Sequence, residues 1–370
     1  MKKGLFVLVF LALLSIGLFG CEKGGKKSDT FEVAVVTDVG QLNDGGFNQG
    51  TYEGAVAFAQ ATGKTYKYYQ PANGSNATDN DRIAAMRQAI ENGAKVIVTP
   101  GFLQANALQT VAAESPEVKF VFIDGWSLGL DNVTAVSYKE EESGFFAGYA
   151  AVMDGYQKLG GTFGGGGTNA ACNRFAYGYV QGIEAAAAVK GVSPIVKISF
   201  QNGSSFSASP ELVTQISGWY SQGVEVVFSC GGSMLQSVKQ AAAEYKEQGA
   251  KIIGVDVDQA KESDQVITSA VKGLSASVQK VLGIWNEGKW DEQLANKTSN
   301  LGAADNATGL PTATSSWRFA TFTVAQYNTL FEGVKNGTIQ IKNDTQDNMD
   351  SALVWEAIDL LLPHTTIEFE

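Results

Sequence analysis

The stretch "TDVGQLNDGGFNQG", residues 37–50, decides how the chain folds. It follows the apolar run Val33-Ala34-Val35-Val36 and leads into a helical pattern over 48–62. A strand that ends in an acidic, glycine-rich loop and feeds a helix opens a parallel α/β unit, and such sheets gather ligand groups beyond the carboxyl ends of their strands. Gly40, Gly45 and Gly46 admit turns that other residues resist. Asp38 and Asp44 supply acceptors, and Phe47 supplies a flat apolar face. Asp44 and Asn48 have a second reading as caps of the helix that starts there.

The same alternation runs outward along the chain. Short apolar strands are expected at 31–37, 65–69, 95–99, 119–123 and 133–137, separated by helices at 48–62, 78–92 and 104–114. A small-residue helix at 143–153 opens a second series, with strands at 159–163, 195–200, 224–229 and 252–255 and helices at 174–189, 210–222 and 233–247. Strands that are apolar throughout belong to parallel sheets covered on both faces. The sequence therefore predicts an α/β chain of two lobes, each a doubly wound, mostly parallel sheet flanked by helices. Two carboxyl edges that face each other enclose a cleft.

Other strand ends carry similar residues: "FIDGW" (122–126), "CNRF" (172–175), "GSSF" (203–206), "CGGS" (230–233) and "GVDVDQ" (254–259). Core packing is an alternative for Trp126 and Phe175, because most aromatics are buried. It suits Asp124 and Asp256 poorly, since a buried carboxylate is costly unless donors reach it. Lys272 can neutralise part of that acid group; its alternative is an exposed lysine at a helix end.

The 370 residues are 44% hydrophobic and 18% charged, with a net charge of −11, and two domains are the natural expectation for this length. No basic cluster occurs beyond 22–29, so nucleic acid is a disfavoured partner. His364 is the single imidazole, no Cys or His pair has zinc spacing, and no G-x-x-x-x-G-K loop occurs. No metal or cofactor is expected.

Lys2 and Lys3 precede an apolar run over 5–19 that stops at Gly20-Cys21, the pattern of a secretory signal. The run is too short for a spanning helix of about 20 apolar residues. Leu18-Phe19-Gly20-Cys21 resembles a bacterial lipobox, with Phe19 a less usual choice. That resemblance implies cleavage before Cys21 and a lipid on its sulfur, which anchors a domain to the extracytoplasmic face of a membrane without spanning it. Residues 22–29 then form the tether of a lipidated segment, 21–30. An ordinary signal peptide with a chance cysteine is the alternative.

"VTDVGQLNDGGFNQGTYEG" (36–54), "FVFIDG" (120–125), "SGFFAGYAA" (143–151), "GVEVVFSCGGS" (223–233), "IIGVDVDQ" (252–259) and "ITSAVKG" (267–273) together resemble the basic membrane protein family of lipoproteins, the purine nucleoside receptor type. The likeness covers 31–341, and the D-x-G-x-x-x-D-x-x-F-N pattern combined with GVDxDQ is its specific part. The resemblance implies a type I periplasmic-binding-protein fold, with lobe 1 from 31–140 and about 273–295 and lobe 2 from about 141–272 and 296–342. Residues 343–370 form a C-terminal extension of apolar helical character to which no chemistry is assigned.

The implied function is a receptor without catalysis that captures a nucleoside and hands it to an ABC permease with its ATPase. The base is then sandwiched between Phe47 and either Phe206 or Phe175. Asp124 and Asn48 meet the base edge, and Asp38, a Gly231-Gly232 backbone group, Asp256 and Lys272 hold the ribose. Gly46 stands where a serine is usual and Cys230 where an alanine is usual, which bears on the choice of ligand. A nucleoside-cleaving enzyme and a sensor lipoprotein that signals to a membrane partner are the alternatives. Cys172 and Cys230 follow neighbouring strands, as a disulfide of an exported chain or as buried small residues.

Overall fold

The computed structural model describes residues 30–39, 41–203, 205–357 and 360–370. The signal segment, Cys21, the tether over 22–29 and Gly40 lie outside the described residues.

Two sheets divide the strands, numbered here along the chain. The first holds β1 (Val33–Val36), β2 (Tyr66–Tyr69), β3 (Val96–Pro100), β4 (Lys119–Ile123), β5 (Val133–Tyr138) and β11 (Thr298–Leu301) in the order β11-β5-β4-β3-β1-β2, all parallel. The second holds β6 (Lys158–Phe163), β7 (Ile195–Ser199), β8 (Val226–Cys230), β9 (Lys251–Asp256), β10 (Val266–Lys272), β12 (Thr308–Gly309) and β13 (Thr366–Phe369). Its order is β12-β10-β9-β8-β6-β7-β13, parallel except for β12 against β10. The central strands are apolar on both faces because helices cover both, and Val33 to Val36 and Val96 to Val98 are fully buried.

Helices α1 (Phe47–Thr62), α2 (Asp79–Glu91) and α3 (Ala105–Glu114) flank the first sheet, and α5 (Ala170–Lys190), α6 (Pro210–Ser221) and α7 (Leu235–Glu244) the second. Helix α4 (Glu140–Asp154) carries the chain from β5 into the second lobe and lies along α5. The pair packs backbone to backbone: a Cβ on Gly144 or Gly148 would collide with a carbonyl of α5, and one on Gly178 or Gly182 with a carbonyl of α4. That contact explains the small residues of "SGFFAGYAA".

After β10 the chain returns, and α8 (Leu274–Asn286) packs on α1. It stays with the first sheet through β11, a polar edge strand ending at Leu301, six residues past the expected edge near 295. Helix α9 (Val324–Lys335) then buries Tyr327, Leu330 and Val334 in the second lobe's core. The extension is also part of that lobe, with Met349 and Trp355 buried in the same core and β13 paired to β7.

Candidate functional site

The carboxyl ends of the two sheets face each other across a cleft of about 340 Å³, near the small end of the range for small-molecule sites. Asp38, Phe47, Asn48, Asp124, Phe175, Phe206, Gly231, Gly232, Asp256 and Lys272 all line it. Residues read from separate strand ends are thus brought together in one concavity.

On the first lobe, the loop after β1 is held by Asp44. Its Oδ1 accepts from the N–H groups of Gly46 and Gln49 at 2.8 and 3.2 Å, and its Oδ2 from that of Asn48 at 2.9 Å. Asp44 therefore caps α1, the second of its two readings, and the cap fixes Phe47 and Asn48 as the first residues of the helix. Burial pushes the Asp44 carboxyl up, against the three backbone donors that pull it down. Asn48 is buried, and its Oδ1 has no hydrogen-bond partner among the described residues. Asp38 is buried beside Gly101, where φ is +97° and a Cβ would overlap its carboxylate.

Asp124 follows β4 at φ +55°, and Asp256 ends β9 at φ +66°. Both occupy the left-handed region, which turns each side chain out of its sheet at the expense of local strain. Lys272, the last residue of β10, lies 2.5 Å from Asp124, 3.4 Å from Glu140 and 3.5 Å from Asp256. Lys272 is buried, not an exposed lysine at a helix end. Burial works to lower its pKa, and the three surrounding carboxylates outweigh that and raise it well above the ordinary value. Burial also dominates at the acids: Asp124 is pushed up to about 6 despite Lys272, and Asp256 is pushed up as well. Oδ1 of Asp124 is buried and accepts no hydrogen bond from the described residues.

The aromatics divide by role. Phe175 is 1% exposed and meets Phe228 edge-on at 5.9 Å, so most of its surface belongs to the second lobe's core. Phe206 is only partly buried and sits at φ +57°, with its carbonyl accepting from Ser233 N–H at 2.9 Å. Trp126 is half exposed and is not among the lining residues. Phe102 and Asn169 line the cleft and were not singled out in the sequence. Phe102 follows β3 at a strand end of the same kind, and its ring meets that of Phe206 edge-on at 6.4 Å across the lobes. Asn169 caps α5 by accepting from Cys172 N–H at 2.8 Å, which starts this helix four residues before the expected 174.

Glu140, fully buried at the start of α4, also went unread. It joins Lys272 to Arg174, whose Nε lies 2.6 Å away, and so ties the crossing between lobes to the cleft. Gln259 is fully buried and spans the lobes: its Oε1 accepts from Val255 N–H at 2.8 Å, and its Nε2 donates to Gly45 O at 2.9 Å. Cys172 and Cys230 line the floor as free thiols, with their sulfurs 3.9 Å apart.

A two-lobed cleft with buried acids and aromatics at its facing edges can enclose a small solute, and the sequence as a whole agrees. Residues 31–345 match the family described as ABC transporter substrate-binding protein, PnrA-like. The chain belongs to this family. It is 29% identical over 341 residues to the ABC transporter nucleoside-binding protein BmpA of Lactococcus lactis subsp. cremoris, covering 83% of this chain and 93% of that relative. A lipoprotein of Pyrococcus abyssi is 24% identical over 368 residues, covering 96% and 88%. An ABC transporter solute-binding protein from Aeropyrum pernix has the same fold, with a TM-score of 0.65 at 21% identity over 88% of this chain and 90% of that one. The type I periplasmic-binding fold implied by the motifs is the fold of this PnrA-like chain.

Proposed function

We propose that this PnrA-like protein captures a purine nucleoside in the interlobe cleft and delivers it to an ABC permease, from a lipid anchor on Cys21 at the extracytoplasmic face. The observation that carries the reading is the convergence of Phe47 and Phe206, from opposite lobes, with the Asp124-Lys272-Asp256 cluster in one cleft. A purine has two π faces, and each stacked ring contributes about 0.5–1.5 kcal/mol beyond burial. The orphan acceptors Asn48 Oδ1 and Asp124 Oδ1 suit the N–H groups of a base edge, since buried polar atoms need partners. Asp38, Asp256, Lys272 and the Gly231-Gly232 backbone suit ribose hydroxyls. Hydrogen bonds to charged groups contribute roughly 1.5–3 kcal/mol each, which brings micromolar to nanomolar affinity within reach.

His364, the single histidine, pairs with Glu184 of α5 at 2.7 Å and is not among the residues that line the cleft, so cleavage would have to rest on the carboxylates alone. The deciding experiment is calorimetry with inosine, guanosine, adenosine, cytidine and uridine, followed by chromatography of each mixture. Binding of the purine nucleosides with no free base released is the expected result. Heat only from pyrimidine nucleosides, or accumulation of free base, refutes it.

A further inference from the structure

The family match ends at residue 345, and the chain continues along the outside of α5. Tyr177 donates to Asp344 Oδ1 at 3.1 Å, and β13 later closes the second sheet beside β7. Between these points, residues 346–350 reach the back of the cleft wall. Met349 N–H donates to Gly167 O at 2.8 Å, and Asn173 Nδ2 donates both to that oxygen at 2.8 Å and to Gln346 O at 3.3 Å. Met349 is fully buried, and its own carbonyl accepts from Trp355 Nε1 at 2.9 Å. Gly167 has φ +76°, and a Cβ there would collide with the backbone N of Asp350, so the segment is seated directly on the glycine.

The other face of the same turn carries Phe206. A Cβ on Gly164 would lie 2.6 Å from Phe206 Cδ1, and one on Gly165 would lie 3.0 Å from Phe206 Cζ. The N–H groups of Gly165 and Phe206 share Gly203 O, at 3.2 and 2.9 Å. Four consecutive glycines have more backbone freedom to lose than any other tetrapeptide, and a phenylalanine at φ +57° is held only where its surroundings enforce it. The turn therefore needs support from outside, and 346–350 supply it.

We propose that residues 346–350 are a positioning strap for the binding site, clamped by Asn173 onto Gly167 so that the glycine turn holds Phe206 at the cleft face. The strap touches no ligand. It acts through Phe206, and its effect on affinity rests on the reading of that ring as a wall of the nucleoside site.

The test is hydrogen–deuterium exchange on the full mature chain, which needs no ligand. Asn173→Ala removes the shared donor, and Trp355→Phe removes the anchor of Met349 from a position remote from the turn. Both should raise exchange about tenfold in peptides covering 163–168 and 203–207, the scale of one lost buried hydrogen bond. Glu370→Ala, which removes the carboxylate that meets Lys197 and Trp219 at the far end of the extension, should leave those peptides unchanged. Faster exchange confined to 346–350 overturns the proposal, and so does an equal rise in the Glu370 variant. If Asn173→Ala does not fold, Trp355→Phe decides alone. Calorimetry with inosine is the second arm: Asn173→Ala should weaken binding about tenfold, with no further loss in a Phe206→Ala background. Additive losses overturn the coupling to Phe206. An unmodified chain that binds no purine nucleoside refutes the function instead, and the exchange result still decides the strap.

Discussion

Lys272 Nζ lies 2.5 Å from Asp124 Oδ2, and this pair joins the end of β10 in one sheet to the end of β4 in the other. The same ammonium serves Asp256 and Glu140 and sits 4.9 Å from the Phe47 ring centroid. One ammonium thus stands among three buried carboxylates, and Arg174 shares Glu140 with it. Lys272→Met keeps the aliphatic stem and leaves the acids facing one another, and loss of one partner from a buried pair costs roughly 3–5 kcal/mol. A urea melt should show a loss on that scale, with nucleoside binding abolished. A variant as stable as the parent would mean that the acids are already neutral.

The acids set a pH dependence of definite sign. Burial, opposed by Lys272, pushes Asp124 up to about 6, and burial pushes Glu141 up to about 7. The native state then holds protons that the unfolded state has released, so these groups favour folding more as pH falls from 8 through 7 and 6, with the gain complete below their ordinary values near 4. The ligand-free melting temperature should rise by a few degrees from pH 8 to pH 5. Asp81 and Asp264 are pulled down, Asp81 by Thr78 and Asp264 by Lys246, and act in the opposite sense only under about pH 4. Nucleoside affinity should fall over the same interval, because a protonated Asp124 gives up acceptor capacity. Calorimetry at pH 5, 6, 7 and 8 checks both. Parallel changes in stability and affinity would rule out Asp124 as a base-edge acceptor, and Asp124→Asn should flatten the affinity curve while the stability curve keeps the share of Glu141.

The sheets and most of the cleft were legible because buried parallel strands are unbroken apolar runs. At their ends, an aspartate or glycine cluster marks where the chain leaves the core. Asp38, Asp124 and Asp256 could be found by that rule alone. The edge strand β2 was expected at 65–69, but β11 and β13 could not be read: β11 (TSNL) is mostly exposed, and β13 (TIEF) alternates like many a solvated tail. Both are stabilised by partners more than 160 positions away, Ala135 to Tyr138 and Ile195 to Ile198. Glu140 was hidden among three consecutive glutamates, a run that reads as a solvated face although the fold buries all three. Gln259 stood in a recognised motif, but its bond to Gly45 is a product of two lobes meeting and has no local signal.

The two candidate walls of the second lobe separate by what each ring touches. Phe175→Ala should cost about 3–5 kcal/mol of stability, because the ring is in the core against Phe228. Phe206→Ala should cost little stability and weaken purine nucleoside binding about tenfold, the loss of one stacking face. Denaturant melts and titrations on the two variants give the comparison. Tight binding retained in Phe206→Ala would return the stacking role to Phe175.

Gln259 offers a separate handle on closure. Its amide bridges Val255 of the second lobe and Gly45 of the first without being among the residues that line the cleft, so it favours the closed arrangement and contributes nothing to ligand chemistry. Ligand and latch then draw on one equilibrium, and a receptor biased toward the open form binds more weakly in proportion to its closed fraction. Gln259→Ala removes a net hydrogen-bond contribution of about 0.5–1.5 kcal/mol. The dissociation constant should rise about 2- to 10-fold, with a larger radius of gyration in small-angle scattering of the ligand-free protein and an unchanged radius at saturation. Weaker binding with no change in the ligand-free radius would place the defect in the loop around Asp44 rather than in closure. Lys272→Met should instead expand the protein both with and without nucleoside, since it removes the link between the sheets and the site together.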